Sequence, residues 1–224
     1  MKTIIALVLL AMNLYSSNGQ QNTKNNKNDT TMIERFDFED YKKRLAENPL
    51  GDFYTEKDGT KVMMADGKNP FIRITSPPPS FITIMKVFHE NGVIEMKGKQ
   101  IGTHVEIGIW QYFDENGKLI KEEDEDKKFG KIKPDDILRF MEKEKYINLS
   151  TGAGRFDKDG WDAFMLSFRP GSDSVIVGAG RNASKWYITI WPKQENRFMR
   201  TDYEINGETG EVISKKTYEA FPIE

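Results

Sequence analysis

Val87-Phe-His-Glu-Asn-Gly-Val-Ile-Glu95 and Tyr112-Phe-Asp-Glu-Asn-Gly-Lys-Leu-Ile-Lys121 are two versions of one unit. Aligning Phe88 with Phe113 brings Glu90-Asn91-Gly92 onto Glu115-Asn116-Gly117. Each unit places an aromatic strand before an Asn-Gly turn and a short apolar strand after it. Asn and Gly tolerate positive φ, so the pair suits a turn that reverses a hairpin without splaying its strands. A repeated hairpin builds a sheet and carries no reactive group. The unit therefore directs the reading toward binding before catalysis.

Outward from the repeat, the chain alternates strand and turn signals. On its N-terminal side, Phe71 to Thr75 and Phe81 to Phe88 read as strands joined by the stiff connector Ser76-Pro-Pro-Pro-Ser80. Lys57-Asp58-Gly59 and Ala65-Asp66-Gly67 are turn signals. Asp37 is placed to cap a helix with Phe38, Tyr41 and Leu45 on one face, stopped by Asn48-Pro49. On the C-terminal side, the charge run Glu122-Glu-Asp-Glu-Asp-Lys-Lys128 reads as a solvated linker. A helix from Pro134 to about Lys145 follows, with Asp135 and Asp136 at its positive end and Ile137, Leu138, Phe140 and Met141 on its apolar face. Trp161 to Phe168, Ser174 to Val177, Lys185 to Trp191, Phe198 to Ile205 and Glu211 to Tyr218 read as strands. The expected fold is β-rich α+β: an antiparallel hairpin-repeat sheet over 32–128, then a small helix-plus-antiparallel-sheet domain over 129–224.

Residues 1–19 carry the marks of a signal peptide. Lys2 supplies the charge, Ile4 to Leu14 a short apolar stretch broken by Asn13, and Ser17 and Gly19 the small residues before a cut at Gln20. The apolar stretch falls short of the roughly 20 residues that span a bilayer. Residues 20–31 hold no apolar side chain and read as a disordered tether. The chain has no cysteine, so neither disulfides nor a lipoprotein anchor enter, and no stable membrane anchor is expected. The mature protein is expected to be exported, soluble, and periplasmic or secreted. The full 224-residue sequence carries a net charge of −2 with the basic groups scattered, which gives no footprint for nucleic acid.

Motifs with chemical content are few. Val175-Ile-Val-Gly-Ala-Gly-Arg-Asn-Ala183 has dinucleotide-fingerprint spacing, but the strand-like Lys185-Trp-Tyr-Ile-Thr-Ile-Trp191 follows where a helix must bind pyrophosphate. Asp157-Lys-Asp-Gly-Trp-Asp162 resembles part of a calcium loop, yet Phe168 stands where the bidentate Glu belongs, and an Asp-Gly hairpin turn explains the same letters. His89 and His104 are the only histidines, with no zinc-binding helix motif. No catalytic, cofactor or metal residues are assigned. On the strand 185–191, Trp186, Ile188 and Ile190 face one way and Tyr187, Thr189 and Trp191 the other. Apolar character on both faces means either burial on both sides, as core, or one exposed surface that contacts a protein or glycan, where Trp and Tyr are favoured anchors.

The repeat Phe-x-Glu-Asn-Gly-x-(Leu/Ile) at 88–94 and 113–119, with Gly108-Ile-Trp110 before the second copy, resembles the MORN-variant repeat over about 87–122. Tyr54-Thr-Glu-Lys-Asp-Gly59 reads as a degenerate earlier unit. The resemblance implies hairpins following one another in an extended sheet, in a family with members in toxin–antitoxin and polymorphic-toxin settings. The later part is similar in outline to PepSY-like domains, with Tyr203-Glu-Ile-Asn-Gly-Glu-Thr-Gly-Glu-Val-Ile213 as the closing hairpin. That likeness implies an inhibitory or protein-binding role in an exported protein.

The expected function is therefore an immunity-type protein that neutralises a secreted bacterial toxin by direct binding, without a cofactor. The expected partner contacts are Glu122, Glu123, Asp124, Glu125 and Asp126 together with Trp186, Tyr187 and Trp191. An envelope scaffold or glycan-binding module is one alternative. A hydrolase using Asp/Glu chemistry is another, favoured by clustered acids with raised pKa values in a cleft.

Overall fold

The computed structural model describes residues 33–47, 53–66, 71–102, 105–157, 160–171, 183–191 and 198–220. The signal segment, the tether, His104, the fingerprint glycines and the strand expected over Ser174 to Val177 lie outside them. Two antiparallel sheets dominate. In the first, β1 (Phe53–Thr55), β2 (Lys61–Asp66), β3 (Phe71–Ser76), β4 (Ile82–Phe88), β5 (Ile94–Ile101), β6 (Val105–Phe113) and β7 (Leu119–Asp124) pair in chain order. In the second, β8 (Phe164–Arg169), β9 (Lys185–Ile190), β10 (Phe198–Asn206) and β11 (Val212–Ala220) do the same. Helix α1 (Phe38–Glu47) precedes the first sheet, and a 3-10 turn (Glu125–Lys128) and helix α2 (Pro134–Lys143) connect the two.

The repeated sequence unit is a repeated hydrogen-bond pattern. In the β4–β5 turn, the His89 amide donates to the Val93 carbonyl and the Gly92 amide to the His89 carbonyl, both at 2.8 Å. In the β6–β7 turn, Asp114 donates to Lys118 at 2.9 Å and Gly117 to Asp114 at 2.8 Å. The β1–β2 turn has the same pair, Glu56 to Thr60 at 2.8 Å and Gly59 to Glu56 at 3.0 Å. In each, three residues link the strands and the last is a glycine at positive φ: Gly59 at 86°, Gly92 at 78° and Gly117 at 78°. Such a loop is a type I turn closed by a left-handed residue. Asn91 and Asn116 thus stand one position before the left-handed residue, and only the glycine requires positive φ. The same pair of backbone bonds recurs at Asp157, which donates to Trp161 at 2.7 Å and accepts from Gly160 at 3.2 Å.

Helix α1 forms where its sequence dictates. The Asp40 amide donates to the Asp37 carboxylate at 2.9 Å, capping the first turn, and Arg44 pairs with Asp40 one turn back at 2.7 Å. Its apolar face closes a cluster of Phe36, Tyr41, Val62, Met64, Phe88, Val93 and Ile94, with Phe38 and Phe71 packed against it. Burying side chains of this size stabilises by roughly 1.5–3 kcal/mol each. The preceding residues are tied on by the backbone: Phe36 donates to Gly92 at 2.8 Å and Ile94 to Glu34 at 3.0 Å.

The second sheet buries Leu166, Trp186, Ile188, Tyr203 and Ile205 under Ile137, Leu138 and Met141 of α2. Pro134 opens α2 at a position where its missing N–H costs nothing, and the Lys133 amide donates to Asp136 at 2.9 Å. The helix stops two residues before the expected Lys145, because Lys145 adopts φ of 63° and the chain turns there. Phe81, just before β4, and Ile101 and Val105 of the first sheet belong to the same core cluster, so the two sheets share one interior. Arg155 reinforces the contact from a buried position. Its guanidinium donates to the Ser80 carbonyl and, at 2.6 Å, to Thr83 Oγ1, and desolvation pulls its pKa down to about 10.

Candidate functional site

Strand β7 ends the first sheet among the described residues, and it carries the acidic run expected to meet a partner. The sequence reading made this run a linker. It is instead the final strand followed by the 3-10 turn, because the repeat supplies a seventh strand that reaches Asp124. Pairing with β6 sets the register: Leu119 lies opposite Phe113, Lys121 opposite Tyr112, Glu122 opposite Gln111 and Glu123 opposite Trp110.

The five acids divide by role. Glu122 accepts a hydrogen bond from Gln111 Nε2 at 2.8 Å and has no cationic partner among the described residues. Glu123 accepts from Lys121 at 2.5 Å and from the Tyr112 hydroxyl at 3.4 Å. Lys121 holds the Glu123 carboxyl below its usual range, while burial and then Glu123 push the Tyr112 phenol up to about 12. Asp124 caps the 3-10 turn, accepting from the Asp126 amide at 3.2 Å, and Asp126 accepts from the Gly108 amide at 2.9 Å. Both are therefore engaged in holding the turn against β6.

Glu125 is buried, and this corrects its reading as a partner contact. Its carboxylate accepts from Lys128 at 2.8 Å, and Lys128 also reaches Glu106 at 2.5 Å. Burial is the largest influence on Glu106 and outweighs Lys128, so its pKa is pushed up to about 7. Glu106 does show the shift that an acid-based hydrolase would need, but the lysine it shares with Glu125 makes the pair a clasp between the 3-10 turn and β6.

Leu119 and Ile120 complete the edge and were not singled out in the sequence. They are 42% and 63% exposed. The repeat held the signal. Leu119 occupies the position of Ile94, which is 2% exposed because α1 and Phe36 cover the first hairpin. Among the described residues one such helix serves two equivalent apolar positions.

The aromatic strand β9 also divides. Trp186 is 0% exposed, packed between Phe129 and Phe168, and donates from Nε1 to the Ile132 carbonyl at 3.1 Å. It is a core residue, which corrects its reading as a contact. The strand's alternation points Trp186, Ile188 and Ile190 toward α2 and leaves Tyr187 and Trp191 on the other face. Trp191 is exposed, and the Arg169 guanidinium lies over the Tyr187 ring at 5.6 Å. These two residues and β7 belong to different sheets.

A separate cleft of about 230 Å³ lies between β1 and the 157–161 turn, lined by Phe53, Tyr54, Thr55, Lys61, Gly160 and Trp161. The exposed rings of Phe53 and Trp161 meet edge to face at 5.6 Å. Among the described residues no group of three or more His, Asp or Glu side chains is placed to hold a metal ion. No helix among them is long and apolar enough to cross a membrane. Compared with models of protein families, with curated proteins and with solved structures, the chain matches none.

Proposed function

We propose that this chain is an exported binding protein of the immunity type, neutralising a secreted bacterial toxin by covering it with the acidic edge of the first sheet. The observation that carries the reading is β7 itself: an end strand with exposed Leu119 and Ile120 beside Glu122 and Glu123. Apolar residues rimmed by charge on a rigid element mark a protein contact. The likeness of the repeats to MORN-variant units, and of the second sheet with α2 to PepSY-like domains, supports the same reading. The test is capture from secreted and envelope fractions of the source with tagged Gln20 to Glu224. A single stoichiometric protein, toxic when expressed alone and harmless when co-expressed with this chain, is the expected result. Protection should be lost with Glu122→Lys/Glu123→Lys. Capture of no toxic protein removes the reading.

The cleft beside Trp161 favours a second reading, a glycan-binding envelope module. An exposed Trp and Phe beside the Lys61 ammonium form a stacking wall with a hydrogen-bond donor. Recovery of glycan alone in the same capture, lost in Trp161→Ala, would support it.

A further inference from the structure

We propose that β7 takes up its partner by strand addition, accepting an extended basic segment as an eighth strand of the first sheet. This rests on the immunity reading and names its mode. An edge strand presents alternate N–H and C=O groups outward, and a peptide that pairs with them gains main-chain hydrogen bonds.

Three observations make β7 the receiving edge. First, the hairpins are joined turn to turn as well as strand to strand. His89 Nε2 donates to the Phe113 carbonyl at 3.1 Å, and Asn91 Nδ2 to the Glu115 carbonyl at 3.0 Å. In the second turn Asp114 satisfies the Asn116 and Lys118 amides, both at 2.9 Å, while the Asn116 side chain has no partner among the described residues. The ladder thus stops with a donor in place at its open end. Second, Leu119 is exposed where the equivalent Ile94 is covered, and Ile120 beside it is exposed as well. Third, the charge selects the occupant. Lys121 is satisfied by Glu123, which leaves Glu122, bonded to the neutral Gln111, as the exposed carboxylate of this edge without a cationic partner among the described residues. Like charges placed opposite one another destabilise a strand pair, so Glu122 opposes a second β7 and favours lysine or arginine. The longest edge strand of the other sheet, β11, carries Lys216 without an anionic partner among the described residues, Lys215 being paired with Glu144, and has the opposite preference.

The probe is a decapeptide of alternating lysine and valine, added to the chain from Gln20 to Glu224. Hydrogen exchange should slow across 119–124. An extended peptide offers only one edge to β7, so its two alternately N-methylated forms should differ, one weakened about tenfold or more and the other unchanged. Ile120→Lys/Glu122→Lys should lose about tenfold in affinity with an unchanged denaturation midpoint, both residues being exposed. Equal binding by both N-methylated forms would reduce the contact to charge attraction and overturn the proposal. Protection on β11, or no binding at millimolar peptide, would overturn it as well. Should the toxin captured above still bind Ile120→Lys/Glu122→Lys, strand addition fails while the immunity reading stands.

Discussion

At the scale of single residues, the two repeat glycines are alike in backbone and unlike in surroundings. Gly92 and Gly117 share φ of 78°. A Cβ on Gly92 would stand 2.6 Å from Cε2 of Phe38, whose ring is packed edge to face against Phe36 and Phe71. A Cβ on Gly117 would stand 2.7 Å from Cγ2 of Ile33, which is largely exposed and can move aside. Both alanine variants bear the cost of a left-handed backbone, of order 1 kcal/mol. Gly92→Ala should lose clearly more stability than Gly117→Ala in urea denaturation. Equal losses would mean that backbone strain alone governs both turns. The sequence marked these glycines through Asn-Gly pairing. It could not mark Phe38 as the neighbour that distinguishes them, because that contact crosses 54 positions (92 − 38) of chain.

At the scale of elements, hairpins and helices were legible because each rests on local rules. Alternation set β4 and β9, Asp37 set the start of α1, and Pro134 that of α2. The element misread was the acidic run, whose strand character comes from pairing with β6 and not from its own propensity. Within it, Glu125 is held by burial against Glu106 and Lys128, and this clasp gives the 3-10 turn a pH dependence. Between the ordinary carboxylate range and about pH 7, the unfolded chain has released the Glu106 proton and the folded chain retains it. Stability from this group therefore falls as pH rises through that window and changes no further above it. Burial of Asp162 acts in the same sense, whereas Glu34, Glu144 and Asp202 are shifted down and act below the window. Glu106→Gln should accordingly flatten the stability profile between about pH 5 and about pH 7, and be at least as stable as the parent at about pH 8. Urea midpoints across that range decide it. A parallel profile for the variant would show that Lys128 keeps Glu106 ionised throughout.

At the scale of the whole molecule, the shared interior has consequences that the sequence could not announce. Composition and spacing divide the chain near residue 128, and each sheet does follow the chain on its own side of that point. Yet Phe81 lies in one core with Ile137, Leu166 and Trp186, and its ring approaches that of Phe164 at a centroid distance of 6.0 Å. A core that crosses the division couples the two sheets, because neither buries its face fully without the other. Trp110 in the first sheet and Trp186 in the second are both wholly buried, so each reports the unfolding of its own sheet. In a chain retaining only Trp110 and in one retaining only Trp186, the other tryptophans being replaced by phenylalanine, the fluorescence midpoint in urea should coincide with the far-ultraviolet circular dichroism midpoint of that same chain. Phe81→Ala should then move both midpoints together, at a cost of about 3–5 kcal/mol for a truncated buried aromatic. If only the Trp186 transition moves, the sheets unfold as separate units and Phe81 serves the second alone. Coincidence also bears on the edge strand. A β7 borne on a sheet that unfolds only with the entire molecule is pre-organised, so a partner strand would bind it without first having to order it.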